Sequence, residues 1–252
     1  MFKFLKEMMD SVREGAAEAK AELAQEAAEK AAAHSAATEA SRVKLAETSA
    51  YEKFLVSLGA PYKQTYTREL SAAARDEVPV VYLYCIGLPP DEKVEEFKSM
   101  LERDFGVTDL ESLQVTYMAL LSTEIDPDVP VDSKADLALA IARTSYMVCT
   151  GAAVGYLEPA RALAMTEPLV QQAMARFDSW ADFGANFVVG EKAAPGSNVL
   201  GSGFLKRTVD ALLSHELSPW KHLAWPVSPT ERDELLASRP RGQAVSEADG
   251  LG

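Results

Sequence analysis

The stretch ADLALAIARTSYMVCTGAAV, residues 135–154, decides the fold class of this chain. It is apolar over almost its whole length, and Asp136 and Arg143 are its only charged residues. A helix that is apolar on every side is covered by other elements on every side. The two charges and the hydroxyl residues argue against a membrane span. We therefore expect a core helix over about residues 134–153, with other helices packed on both of its faces.

The segments on both sides of this helix have helical patterns of their own. Apolar residues recur at three- and four-residue spacing in residues 94–101, 110–121, 180–188 and 204–213. Thr108 and Glu111 have the spacing of a capping box at the start of one of these helices. Gly155 suits the end of the core helix, and Pro159 suits the first position of the next one. These signals predict an all-α or nearly all-α fold.

One run is strand-like. VPVVYLYCIGL, residues 78–88, is rich in valine and tyrosine and is followed by two prolines. A short apolar run of this kind fits a buried helix almost as well as a strand, because its periodicity does not separate the two. The sequence therefore allows at most one short strand pair in an otherwise helical protein.

Residues 1–58 differ from the rest because they are rich in alanine and glutamate and contain no proline. Acidic residues at steps of three and four form a stripe along one helical face, namely Glu7, Asp10, Glu14, Glu18, Glu22, Glu26 and Glu29. The opposite face is mostly alanine, which favours helix but buries little area. We expect a long helical arm over residues 1–58, a helical globular domain over 62–237 and a disordered tail over 238–252.

The composition excludes several classes of function. A formal net charge of -13 and a pI near 4.8 argue against non-specific binding to nucleic acid, which needs a positive surface. Cys85 and Cys149 lie among apolar residues and are expected to be buried reduced thiols, too few for a metal or disulfide framework. No signal peptide is visible, so we expect a cytoplasmic protein, with no cofactor and no metal.

Three motifs in the second half of the chain occur in a fixed order. They are GYLEPARAL at residues 155–163, FDSWADFGANFVVGE at 177–191 and SPWKHLAWP at 218–226. Together with LERDFGVTDLESL at residues 101–113, they resemble the bacterial domain-of-unknown-function 1266 family over about residues 80–226. The family pattern has a tryptophan and an aspartate where this chain has Leu139 and Ala140. The resemblance implies a mainly helical domain and no assigned activity.

Motifs of known enzymes are missing. The chain has no His-Glu-x-x-His helix and no Gly-x-Ser-x-Gly elbow. Residues 190–203 are expected to form a glycine-rich loop, in which residues 196–201 have the glycine spacing of a phosphate loop but lack its lysine. Lys206 and Arg207 follow, at the expected start of a helix, where an anion can bind.

Arg143, Asp136 and Asp182 are the other candidates for ligand binding. Arg143 is the lone cation of the core helix, and a buried guanidinium needs partners. It either pairs with Asp136 or Glu158 to fix helix packing, or lines a ligand pocket. Asp178 and Asp182 lie four residues apart on one helix, a spacing that serves acid–base or metal chemistry. Their place in the first turn suits a cap and the helix dipole as well.

Together these patterns favour a non-catalytic cytoplasmic interaction or adaptor protein. Its N-terminal helix would serve self-association or bind an unknown protein partner. The first alternative is a small-molecule-binding protein or hydrolytic enzyme with a site around Arg143, Asp182 and residues 190–203. The second is a peripheral membrane protein, bound through an amphipathic helix whose apolar residues are Phe2, Leu5, Met8 and Met9.

Overall fold

The computed structural model of the chain describes the backbone of residues 2–67, 70, 80–87, 94–120, 134–194 and 199–240. Side chains are described in the same ranges except at residues 2–18, 21, 66–67 and 199–202. The chain divides into two compact units, Met1–Val43 and Lys44–Gly252. Every regular element in the described ranges is a helix, which confirms the predicted all-α fold.

The first unit is formed by most of helix α1, which runs over 46 residues from Phe2 to Glu47. Alanine favours this helix locally, and one-turn pairs of side chains add to it. Lys30 Nζ lies 2.6 Å from Glu26 Oε1, and Gln25 Nε2 donates to Glu29 Oε1 at 2.9 Å. Nearly all described side chains between residues 19 and 43 are exposed. The long alanine-rich helix predicted from the sequence is therefore present.

This helix ends at Glu47 rather than continuing to residue 58. The Thr48 hydroxyl donates to the carbonyl of Lys44 at 2.7 Å, and Ser49 then caps a new helix by accepting from the N–H of Glu52 at 3.1 Å. That helix, α2 (Ala50–Leu58), is followed by α3 (Ala60–Thr67). Residues 44–58, which the sequence placed in the arm, thus belong to the second unit.

The strand-like run does not form a strand. Its described part contains a short 3₁₀ helix, Val81–Leu83, and then irregular backbone to Gly87. Both expected interpretations, strand and buried α-helix, are wrong for these residues, although the buried character is correct, since Tyr82 and Leu83 are 1% and 0% exposed. No strand occurs in the part of the chain that the structure describes.

Two helices lead towards the core helix, α4 (Val94–Phe105) and α5 (Leu110–Leu120). Gly106 separates them with a φ of 66°, a conformation that favours glycine. The cap of α5 is shifted by one residue from the prediction. The Asp109 carboxylate accepts from the N–H of Ser112 at 2.8 Å, and Ser112 Oγ accepts from the N–H of Asp109 at 3.1 Å. Asp109 and Ser112, rather than Thr108 and Glu111, satisfy the open backbone donors.

The core helix is α6, Lys134–Ala153, as predicted. Residues 137–142 and 144–152 are buried, because α2, α3, α4, α5 and a later helix, Trp180–Ala193, all pack on it. Close approach needs glycine at two points. A Cβ at Gly59 would lie 2.9 Å from the backbone nitrogen of Tyr146, and one at Gly190 would lie 2.4 Å from the carbonyl oxygen of Ala135. Gly155, with a φ of 86°, follows the helix as expected.

The remaining helices are α7 (Pro159–Met165), α8 (Glu167–Arg176), α9 (Trp180–Ala193), α10 (Val199–Ser214), α11 (Pro219–His222) and α12 (Pro229–Ala237). The glycine-rich loop predicted over residues 190–203 is wrong for most of its length. Helix α9 continues to Ala193 and α10 already begins at Val199, while residues 195–198 lie outside the described residues. Gly190 is a packing residue within a helix, not a chain breaker.

The described chain continues a few residues beyond α12. Ser238 Oγ accepts from the N–H of Tyr51 at 2.9 Å, and the Arg239 guanidinium pairs with Glu167. The sequence assigned both residues to the tail, yet they tie the end of α12 to α2 and α8. Residues 241–252, the rest of the predicted disordered tail, lie outside the described residues.

Candidate functional site

Two of the motifs that carry the family resemblance, residues 177–191 and 218–226, meet in one aromatic cluster in the second unit. Trp180 at the start of α9 stacks on Trp220, with ring centroids 5.3 Å apart and planes at 14°. Trp225 meets Trp180 edge-on at 4.7 Å, and Phe54 of α2 lies 5.1 Å from both of these rings. Offset-stacked and edge-to-face pairs of this kind add stability beyond the area that they bury.

All three indole N–H groups of this cluster are hydrogen-bonded to the backbone. Trp180 Nε1 donates to the carbonyl of Leu223 at 2.7 Å, Trp220 Nε1 to that of Ser57 at 2.9 Å, and Trp225 Nε1 to that of Phe177 at 2.8 Å. The rings are only 5–7% exposed. These tryptophans therefore join distant segments of the chain, and their polar atoms are not open to a ligand.

Asp182 also has a structural role. Its carboxylate accepts from Lys134 Nζ at 2.6 Å, from the N–H of Asp178 at 3.2 Å and from Asn186 Nδ2 at 3.0 Å. Lys134 Nζ in turn lies 5.2 Å from the ring centroid of Phe177. Ser179, rather than Asp178, caps α9 by accepting from the N–H of Asp182. A carboxylate fixed by three donors holds the start of α9 against the start of α6.

Arg143 is half-buried and behaves differently from the other half-buried arginines. Arg232 donates to the carbonyl of Pro226 at 3.2 Å, and Arg239 pairs with Glu167. Arg143 forms no hydrogen bond or ion pair with any described residue. The pairing with Asp136 or Glu158 that the sequence suggested is therefore not formed. It lies on the face of α6 that also carries Tyr146, one turn further on, whose ring is 5.7 Å from that of Tyr62.

The other predicted candidates are dispersed. Asp136 is exposed in the first turn of α6. Lys206 and Arg207 lie in the middle of α10 rather than at its start, so the N–H groups of the helix start are not beside them. Both are exposed, and Lys206 Nζ pairs with Asp210 at 2.7 Å. Phe2, Leu5, Met8 and Met9 lie in α1, but their side chains are outside the described residues.

A buried lysine, Lys63, was missed by the sequence reasoning. Its side chain is 1% exposed, its Nζ donates to the carbonyl of Tyr82 at 2.9 Å, and the same Nζ lies 4.2 Å from the ring centroid of Tyr82. Burying an ammonium is costly unless it is paired and hydrogen-bonded. No local signal in the sequence marks this burial, which includes all five residues of Ala60–Gln64 in the structure.

Lys63 is one of four side chains that hold the irregular segment around the 3₁₀ helix. Ser57 Oγ lies 3.4 Å from the carbonyl of Leu83, and the Glu52 carboxylate accepts from the N–H of Ile86 at 2.9 Å. Thr48 Oγ1 lies 2.9 Å from Cys85 Sγ. Because the Thr48 proton is donated to Lys44, the Cys85 thiol is the donor in this contact. Short-range backbone hydrogen bonds within residues 80–85 are thus supplemented by side chains of α2 and α3 and by Thr48.

Both cysteines are buried and free, as predicted. Burial raises the pKa of the Cys149 thiol to about 11, and it raises the pKa of the Cys85 thiol as well. Since the thiolate is the reactive form, neither sulfur is prepared for nucleophilic chemistry. Among the described residues, no three histidine, cysteine or acidic side chains are grouped so that they could share a metal ion. No described helix is long and apolar enough to cross a membrane.

These observations define an all-α scaffold that is closed by a tryptophan cluster. The chain belongs to the family described as protein of unknown function (DUF1266), whose family model matches residues 3–225. The match confirms the resemblance and reaches further towards the N-terminus than the motifs predicted, so it includes nearly all of α1. Comparisons with curated proteins and with solved structures gave no match.

Proposed function

We propose that the protein is a non-catalytic interaction protein of the cytoplasm whose N-terminal helix, α1, is its binding element. The observation that carries the proposal is the exposed surface of this helix. Leu23 is 67% exposed and Val43 is 46% exposed, and the alanines around Leu23 are exposed too. Leu23 and Ala27 lie one turn apart, to one side of the acidic stripe and about 100–160° around the helix axis from Glu22 and Glu29.

Helix α1 can form without packing on a hydrophobic core. Its exposed side chains are therefore available to bind a partner. Isolated helices become stable in water once they exceed about 12–15 residues of good helix formers, and α1 has 46 residues rich in alanine. Its one-turn contacts, such as Lys30 with Glu26, are local. The match of the family model from residue 3 onwards supports a role for this helix that relatives share.

The second unit supports the non-catalytic part of the proposal. Asp182 is fixed by Lys134 and Asn186, and the tryptophans of the family motifs are bonded to backbone carbonyls. Both described thiols have a raised pKa. The residues that could take part in catalysis thus have structural roles that are sufficient to explain their presence.

The test compares two variants of the full chain. Leu23→Gln/Ala27→Gln changes the apolar face, and Glu22→Gln/Glu29→Gln is the matched control on the acidic face. Self-association is measured by sedimentation over a range of concentrations, and partner binding by capture from native lysate followed by titration of the purified partner. We expect the first variant to weaken association about tenfold or more, which corresponds to about 1.4 kcal/mol, and the control to retain it. Equal association of wild type and both variants, or none for any of them, would contradict the proposal.

A second candidate is a ligand site at Arg143, favoured by the half-buried guanidinium that no described group satisfies. Arginine binds carboxylate and phosphate oxygens through its planar fork. Asp182 and most of residues 190–203 are no longer part of this candidate, because Asp182 is held by Lys134 and the expected loop is largely helical. Compounds with a carboxylate or phosphate should raise the melting temperature of the wild type and not that of Arg143→Gln. An equal response of the two proteins would reject the site.

A further inference from the structure

A cleft of about 220 Å³ lies in the second unit between the start of α2 and α12. Its apolar lining comes from Ala50, Ala224, Trp225, Pro226 and Leu235, and two carboxylates, Glu231 and Glu234, complete it. Pockets for small molecules have volumes of about 300–1,000 Å³. This cleft is smaller than that, so it has the size for one side chain rather than for a cofactor.

The charges at the cleft are mainly negative. Glu231 Oε2 accepts from the N–H groups of Val227 at 3.1 Å and Ser228 at 2.8 Å, and these hydrogen bonds lower the pKa of its carboxyl. Glu234 is exposed, and no described group bonds to its carboxylate. Asp233 is exposed on the same helix. The one cation of α12, Arg232, already donates to the carbonyl of Pro226.

We propose that this cleft binds the side chain of a lysine from a partner peptide. A lysine side chain has an apolar stem and a charged end, and such side chains bury the stem while the end stays near water. In this cleft the stem lies along Trp225 and Leu235, and the ammonium lies beside Glu234. An apolar side chain would match the lining equally well but would gain nothing from the carboxylates. The site does not depend on α1, so it stands apart from the interaction surface proposed above.

The test uses the full chain and two small probes that differ only in charge. N-acetyl-lysine methylamide and its norleucine counterpart are titrated while the indole N–H signal of Trp225 is followed by NMR. We expect saturable shifts with the lysine probe and binding about 2- to 5-fold weaker with the norleucine probe, the range of an exposed ion pair. Added salt should narrow this difference, because it screens exposed charges.

Three variants complete the test. Glu234→Gln should weaken binding of the lysine probe to the level of norleucine, whereas Glu111→Gln, an exposed carboxylate on α5, should leave it unchanged. Ala224→Trp should fill the cleft and abolish binding of both probes, and the signals of Trp180 and Trp220 report whether each variant is folded. Equal binding of the two probes to the wild type, an unchanged affinity in Glu234→Gln, or no shift at Trp225 would overturn the proposal.

Discussion

Gly190 lies against the backbone of α6, where a Cβ would be 2.4 Å from the carbonyl oxygen of Ala135. Backbone cannot move aside as a flexible side chain does, so Gly190→Ala must push α9 away from the core helix. We expect a loss of about 1–3 kcal/mol in the free energy of unfolding. Urea denaturation measures it.

Gly203 provides the matched control for this prediction. It is exposed in α10, and a Cβ there meets nothing within 4 Å. Alanine favours helix over glycine, so Gly203→Ala should stabilise the protein by about 0.5–1 kcal/mol. The same loss or gain in both variants would show that close packing at Gly190 is not what decides the result.

Lys63 is a second residue whose substitution discriminates between explanations. Lys63→Met keeps the apolar stem but removes the donor to the Tyr82 carbonyl. A hydrogen bond that involves a charged group contributes about 1.5–3 kcal/mol, so we expect a loss of stability in that range. Thermal and urea unfolding measure it. A stabilised variant would mean that the desolvation of the ammonium outweighs its contacts, as occurs in some buried ion pairs.

At the scale of the element, the start of α5 offers a test of which residue is the cap. The hydrogen bonds from Ser112 lower the pKa of the Asp109 carboxyl. Because the folded value lies below the unfolded one, this contribution is present above the unfolded pKa and is lost as the pH falls through the folded pKa. Asp109→Ala should therefore lower the urea midpoint at pH 7 and flatten its fall on acidification, whereas Glu111→Ala should change neither. An effect of Glu111→Ala with none of Asp109→Ala would instead support the capping box of Thr108 and Glu111 expected from the sequence.

The limits of a helix were predictable from the sequence where the residues at its two ends allowed only one assignment. The core helix has the predicted limits, because its continuous apolar run and the glycine after its end mark them clearly. The cap of α5 was misplaced by one residue, since Thr108–Glu111 and Asp109–Ser112 offer the same spacing. Gly190 was interpreted as a loop signal, although its role is close packing against α6, which only the tertiary structure reveals. The burial of Lys63 depends on the 3₁₀ segment that covers it and has no local signature.

At the scale of the whole molecule, the buried thiols and tyrosine hydroxyls predict how the free energy of unfolding depends on pH. Burial raises the pKa of Cys149 from 9.0 to about 11 and that of Tyr84 from 10.0 to about 12, and it raises those of Cys85, Tyr51 and Tyr117 as well. The unfolded chain therefore releases these protons at lower pH than the folded one.

This contribution to stability should be complete below about pH 8.5, where the unfolded groups remain protonated, and should decrease between there and pH 12. Urea midpoints measured from pH 7 to 11 should decline steadily on the alkaline side. A midpoint that stays constant up to pH 11 would contradict the burial of these groups. A thiol reagent gives an independent check. Both thiols should react slowly in the folded protein and faster once it is unfolded.

The bond from Trp220 Nε1 to the Ser57 carbonyl joins residues 163 positions apart. During synthesis the chain emerges from the ribosome N-terminus first, at about 5–20 residues per second. Helix α1 can form as soon as it leaves the exit tunnel, because its contacts are local. Helix α2 can pack fully only after Trp220 and Trp225 have been synthesised. Helix α1 is thus exposed to the cell several seconds before the aromatic cluster can form. A nascent chain stalled before Trp220 would display a finished α1 on an unfinished core.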